Sequence, residues 1–210
     1  MSRPIVRWYF DFLSPYSYLQ SLRLPEIDAL ADVEAVPVLF AGLLSHWGTK
    51  GPAEVPPKRT FTFQHVAWLA HVRGVQMLLP APFPFNPLPL LRLALAKQCE
   101  RAAIARIFDW VWREGHSPID AAALVALLAE LGVDRAALES AEVKAQLRVN
   151  TEGAIAAGVF GVPTTAVGDS LFWGQDATEM LLARLRGDPF FDSAAYRGAT
   201  QLAPGVQRKS

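Results

Sequence analysis

Strand-like segments stand at the two ends of this chain and are absent from its middle, and that distribution limits the folds open to it. Residues 4–11, Pro-Ile-Val-Arg-Trp-Tyr-Phe-Asp, are short and rich in β-branched and aromatic residues, the pattern of a buried strand. Ser14-Pro15 reads as a helix start: a serine oxygen accepts from free amides, and proline at the first helical position loses no needed donor. A helix over Tyr16–Leu30 and a second strand over Val33–Phe40 follow, which together make a right-handed βαβ unit. The strand alphabet returns at Thr164–Trp173, where Gly168-Asp169 between two apolar runs reads as a hairpin. Asp176 then opens a last helix to Leu185, and Gln201–Ser210 reads as a loose end.

Between these ends the pattern changes. Residues 41–57 are rich in Gly and Pro and read as a long loop, the kind that tends to be functional in a compact domain. Residues 58–157 carry helical periodicity, strongly interrupted at Pro80–Pro89, with Asp120 and Asp134 as caps and Gly132 as a stop. The expectation is an α/β protein in which residues 1–57 and 158–210 share one sheet and residues 58–157 form an inserted all-helical lobe. A cleft between sheet and lobe is a natural ligand site.

Composition removes several function classes. Apolar residues make up 51% of the 210 and charged residues 19%, which excludes a disordered chain. Lys+Arg and Asp+Glu are 20 each, so no net charge draws the chain to nucleic acid or to an anionic membrane. The single cysteine, Cys99, excludes an intrachain disulfide and a Cys-x-x-Cys pair, and reads as an incidental thiol. No apolar run has transmembrane length and Met1–Arg7 has no secretory pattern, so a cytoplasmic protein is expected. His46, His65, His71 and His116 have no ligand spacing, and no metal site is expected. Trp68, Trp110, Trp112 and Phe108 sit at helical spacing and read mainly as lobe core.

Three places can carry chemistry. Ser14, between a strand end and a helix start, presents a hydroxyl beside free amides that suit an anion such as a thiolate; it can equally be a cap alone. Val162-Pro163 precedes a strand, where a tight turn would offer backbone groups to an extended ligand, or where proline merely begins the strand. Asp176 sits at a helix start as a cap, as a partner for an ammonium group, or as both.

In order along the chain, Phe10-Asp-Phe-Leu-Ser-Pro-Tyr-Ser-Tyr-Leu19, Phe83-Pro-Phe-Asn-Pro87, Asn150-Thr-Glu152, Gly158-Val-Phe-Gly-Val-Pro-Thr164 and Phe172-Trp-Gly-Gln-Asp176 form a recognisable set. The chain resembles the 2-hydroxychromene-2-carboxylate isomerases and the kappa-class glutathione transferases, in the DsbA-like branch of the thioredoxin fold. The resemblance implies a DsbA-type thioredoxin-like sheet with a helical insertion, a homodimer, and glutathione as cofactor along the cleft. It implies that Ser14 bonds the glutathione thiolate from the position of the first active-site cysteine of disulfide oxidoreductases. It places the cysteinyl backbone against Val162 beside a cis Pro163, and the γ-glutamyl end against Gln175 and Asp176. The implied reaction is cis-trans isomerisation of an unsaturated aromatic 2-oxo acid by reversible thiolate addition. A kappa-like transferase that conjugates electrophiles, or a non-catalytic thiol- or peptide-binding protein, are the alternatives. Serine at both 14 and 17 argues against disulfide redox chemistry.

The sequence departs from the family pattern at three positions. Thr49 stands near where many members have asparagine, His65 where many have an acidic residue, and Ala177 where arginine is frequent. Each change removes a polar contact near the cleft. Tyr16, Thr49, Lys58 and Asn86 are the candidate substrate-binding residues. Lys58, with Arg59, can meet a substrate carboxylate or can be a solvated helix start, and Asn86 can cap a helix or reach into the cleft.

Overall fold

A computed structural model describes residues 3–199, 201 and 205. Its sheet has four strands: β1 (Ile5–Phe10), β2 (Asp32–Pro37), β3 (Thr164–Val167) and β4 (Ser170–Trp173), in the order β2-β1-β3-β4. β1 runs parallel to β2, with Trp8 opposite Ala35, and antiparallel to β3, with Trp8 also opposite Thr165. The β3–β4 hairpin turns at Gly168, whose φ of +55° suits glycine. The two strand-forming ends of the chain thus meet in one mixed sheet, as the sequence pattern requires.

Ten α-helices complete the fold among the described residues. α1 (Pro15–Ser21), α2 (Leu24–Asp28) and α3 (Phe40–Trp47) belong to the first part of the chain. α4 (Pro56–Val72), α5 (Leu88–Ala96), α6 (Arg101–Trp112), α7 (Ala121–Glu130) and α8 (Ala141–Ala156) form the helical insertion. α9 (Thr178–Leu185) and α10 (Ala194–Ala199) follow the hairpin.

Sheet and insertion share one apolar core. Trp8 stacks on Phe10 at 4.3 Å, and Phe12 lies 4.6 Å from Phe108 of α6. All four rings are fully buried, so their burial stabilises the join by several kcal/mol, at about 25 cal/mol per Å² of apolar surface. Trp112 Nε1 donates to the Phe12 carbonyl at 2.9 Å, which pins the end of α6 beside the Ser14 turn. Trp110 and Trp112 are core as expected, but Trp68, on α4, is 58% exposed.

Four element boundaries differ from expectation. The expected helix over 16–30 breaks after Ser21, and Pro25 sits in the first turn of the separate α2. The second strand stops at Pro37, not Phe40. Most of the expected loop over 41–57 is helical: Phe40–Trp47 buries Leu43 and ends at Gly48 in a left-handed cap, φ +62°. The glycines and prolines there punctuate helices instead of making a loop. The helix expected to open at Asp176 as the last one is α9, which begins at Thr178 with Ala177 as its cap residue and is followed by α10, so Asp176 does not cap it. Asp120 accepts from the amides of Ala122 and Ala123 as expected, and Asp134 from that of Ala136. The expectation for Gln201–Ser210 lies, apart from residues 201 and 205, outside the described residues. No helix among the described residues is long and apolar enough to cross a membrane.

Candidate active site

Ser14 is buried at the end of the β1–α1 turn. Its φ and ψ are extended, and Oγ accepts from the Ser17 amide at 3.1 Å, the geometry of a helix cap. The same hydroxyl donates to the Val162 carbonyl at 3.4 Å, a long bond. Its proton is therefore weakly held, and an anionic acceptor can take it over. That fits a thiolate, which a hydroxyl donor and exposed amides favour over the thiol. α1 has seven residues, so the favourable field is confined to its first turn and the hydroxyl carries most of the effect.

Asp11 holds this turn in place. One carboxyl oxygen accepts from the Leu13 amide and the other from the Phe40 amide, each at 2.9 Å, while its carbonyl accepts from the Ser14 amide at 3.0 Å. A single side chain thereby ties the β1–α1 turn to the start of α3. Burial raises the Asp11 pKa to about 7 and outweighs the two amides, which act the other way.

The Val162-Pro163 peptide is cis. The segment is held by Gly174 N, which donates to the Pro163 carbonyl at 2.9 Å, and by Thr164 Oγ1, which donates to the Gly161 carbonyl at 2.7 Å. Gly161 is required by close approach: a Cβ there would stand 2.6 Å from Trp173 Nε1. Gly174 is required by its φ of +93°, and the Asp176 carboxylate folds back over it. Asp176 itself is exposed.

Gln175, by contrast, is buried, and Arg73 Nη2, just past the end of α4, donates to its Oε1. Behind it runs a buried polar chain. Trp8 Nε1 donates to Gln20 Oε1 at 2.9 Å, Gln20 Nε2 donates to Thr178 Oγ1 at 3.1 Å, and Thr178 Oγ1 donates to the Gln175 carbonyl at 2.7 Å. β1, α1 and the start of α9 are thus fixed to one another. Sequence reasoning missed Asp11, Gln20, Arg73 and Thr178. For Asp11 the signal was a carboxylate inside an apolar strand end.

Tyr16, in the first turn of α1, has its hydroxyl 2.9 Å from His65 Nδ1 of α4. Burial, followed by the nearby Asp176 charge, raises its pKa, so the phenol keeps its proton. His65, read from sequence as a lost contact, is here a gained one. Thr49 and Lys58 are exposed, and no hydrogen bond or ion pair joins their side chains to this cluster among the described residues. Asn86 is also exposed, and its Oδ1 accepts from the Leu88 amide at 3.1 Å, so it stabilises the start of α5. Arg59 donates to the Phe83 carbonyl at 2.7 Å. Cys99 lies apart, and burial pushes its thiol up to about 11. No group of three or more metal-ligating side chains gathers among the described residues.

Comparison with known proteins agrees with this fold. Residues 5–186 match the family model of the DSBA-like thioredoxin domain. The 2-hydroxychromene-2-carboxylate isomerase of Pseudomonas putida is 33% identical over 188 residues, 84% of this chain and 92% of that one. Rat glutathione S-transferase kappa 1 is 27% identical over 207 residues, 88% of this chain and 91% of that one. A solved structure of 2-hydroxychromene-2-carboxylate isomerase covers 95% of this chain and 100% of its own, with a TM-score of 0.75 at 25% identity. The fold and these matches together show that the chain is an enzyme of the DSBA-like thioredoxin family, in its 2-hydroxychromene-2-carboxylate isomerase and kappa-class glutathione transferase branch.

Proposed function

We propose that this enzyme is a glutathione-dependent isomerase of an unsaturated aromatic 2-oxo acid. The observation that carries the reading is the Ser14 hydroxyl, buried at a chain turn and bonded only weakly to the Val162 carbonyl. Glutathione, when bound, supplies a thiolate that adds reversibly to a conjugated carbonyl compound. Ser14 donates a hydrogen bond that keeps the sulfur ionised. It cannot form a disulfide itself, which keeps the chemistry free of redox change. Val162 offers its backbone to the cysteinyl peptide, beside Pro163. Gln175, oriented by Arg73, and the exposed Asp176 receive the amino-acid end of the tripeptide, where Asp176 meets the ammonium. Lys58 and Thr49 lie on exposed surface and in this reading meet the substrate's carboxylate and flank, and half-buried Tyr16 also meets the substrate.

The second reading is a kappa-like transferase, favoured by the near full-length match to the rat kappa enzyme. Stoichiometry separates the two. An isomerase leaves glutathione unconsumed while a benzylidenepyruvate changes its absorbance, and a transferase loses one glutathione per product. A chain that binds glutathione but turns over neither class of substrate is a binding protein, and both enzyme readings then fail. We carry a cytoplasmic homodimer as part of the same proposal, checked by sedimentation of the purified chain.

A further inference from the structure

We propose that Tyr16, held by His65, is the hydrogen-bond donor for the substrate oxygen that becomes negative during the reaction. The inference rests on the isomerase reading above and adds to it a catalytic residue and a positioning residue. Addition to a conjugated 2-oxo acid forms one C–S bond from the sulfur lone pair, the π pair of the C=C bond shifts to the adjacent C–C(O) bond, and the π pair of the C=O bond moves onto the oxygen. Rotation about the resulting single bond follows. Elimination then returns the pair, breaks the C–S bond and re-forms the double bond. No proton or electron is gained or lost overall, but an oxyanion exists between the two steps and needs a donor. Removing one such donor typically slows an enzyme by about 10²–10³-fold.

Tyr16 stands two residues after Ser14, on the first turn of α1, half-buried against His65 of α4. Its phenol stays protonated because of burial and the charge of Asp176. The His65 imidazole is fixed from three directions: by Tyr16 at 2.9 Å, by Phe61 stacked at 5.6 Å and 19°, and by Trp68 at 6.2 Å and 15°. Phe61 is 64% exposed and Trp68 58%, so apolar surface beside the pair is open to an aromatic substrate. The direction of the Tyr16–His65 bond decides the chemistry. With a proton on Nδ1, the imidazole donates to the phenol oxygen and leaves the Tyr16 O–H free to point at the substrate. Without it, the phenol donates to Nδ1 and is spent. The charge that acts on Tyr16 is Asp176; α4 itself carries Lys58, Arg59 and His71 with Arg73 at its end, and Glu54 lies on the turn packed against it. Glu54 is committed to the Gly51 amide, Arg59 to the Phe83 carbonyl and Arg73 to Gln175.

Two measurements test this. ¹⁵N NMR of the ligand-free protein reads the His65 tautomer directly; protonated Nδ1 is expected, and a neutral ring protonated on Nε2 at the working pH overturns the proposal. In turnover of a benzylidenepyruvate with glutathione, Tyr16→Phe is expected to lower kcat about 10²-fold with glutathione affinity within about twofold of wild type. His65→Leu lowers it less, and His65→Asn, whose side-chain amide can donate in place of Nδ1–H, recovers most of that loss. Full activity in Tyr16→Phe with intact glutathione binding overturns the inference and leaves the isomerase reading standing. A folded wild type that neither binds glutathione nor turns over overturns both.

Discussion

Arg73, at the end of α4, donates through Nη2 to the side-chain oxygen of Gln175, 102 residues further along the chain. The bond joins the helical insertion to the segment that follows the β3–β4 hairpin, and it sets which way the Gln175 amide faces. With Oε1 engaged, the amide nitrogen is left to donate to a ligand. Arg73→Ala should therefore weaken glutathione binding by about tenfold, consistent with a charged hydrogen bond worth about 1.5–3 kcal/mol that acts one step removed from the ligand. Calorimetry checks this, and unchanged affinity would remove Gln175 from the ligand site.

The Trp8–Gln20–Thr178 chain makes a separate stability prediction. Gln20 is fully buried and serves donors and acceptors from three elements. Gln20→Leu leaves the Trp8 N–H without its acceptor and Thr178 Oγ1 without its donor. A loss of about 2–4 kcal/mol is expected in urea unfolding, from unsatisfied buried polar groups at about 1–3 kcal/mol each. A loss below about 0.5 kcal/mol would mean that the chain is relieved by rearrangement.

Asp11 gives stability a pH dependence. Its folded-state pKa is raised from 3.8 to about 7, chiefly by burial. Between those values the folded protein holds a proton that the unfolded chain has released. This contribution is fully present below about pH 4, declines as pH rises, and is gone above about pH 7. The slope in the window approaches about 1.4 kcal/mol per pH unit. Asp11→Asn lacks the titration and places an NH₂ against one of the two amides, so it is less stable at acid pH, and the gap to wild type narrows as pH rises. Unfolding free energies of both proteins from pH 4.5 to 7.5 check this; a constant gap would show that Asp11 does not titrate in the window.

Much of the frame was legible before the structure. β1, the β3–β4 hairpin and the cap at Ser14 are local patterns, and local patterns survive folding. Residues 41–57 have the composition of a loop because of Gly42, Gly48, Gly51 and the prolines, although Gly48 is the residue that ends a helix there. Asp176 looked like a cap because it precedes a helix, yet the left-handed backbone at Gly174 turns its carboxylate back on itself. Arg73–Gln175 and Tyr16–His65 join residues 102 and 49 positions apart, and no periodicity announces such pairs. His65 shows the limit of reasoning from resemblance: a departure from the family pattern read as a missing contact, and the fold gives it a partner.

The central claim is that Ser14 stabilises a bound thiolate. Ser14→Ala also loses a helix cap worth about 1 kcal/mol, so folding must be verified alongside binding. The most direct measurement is calorimetric glutathione binding to wild type and Ser14→Ala between about pH 6 and 9, with the bound thiolate followed by its ultraviolet absorbance; a thiol with its ordinary pKa of about 8.5 is mostly protonated over the lower part of that range. The account predicts thiolate bound to wild type well below the free pKa, and a folded Ser14→Ala in which the bound thiol titrates at least about one unit higher with weaker affinity. Equal affinity and an identical thiol titration in the two proteins would contradict it.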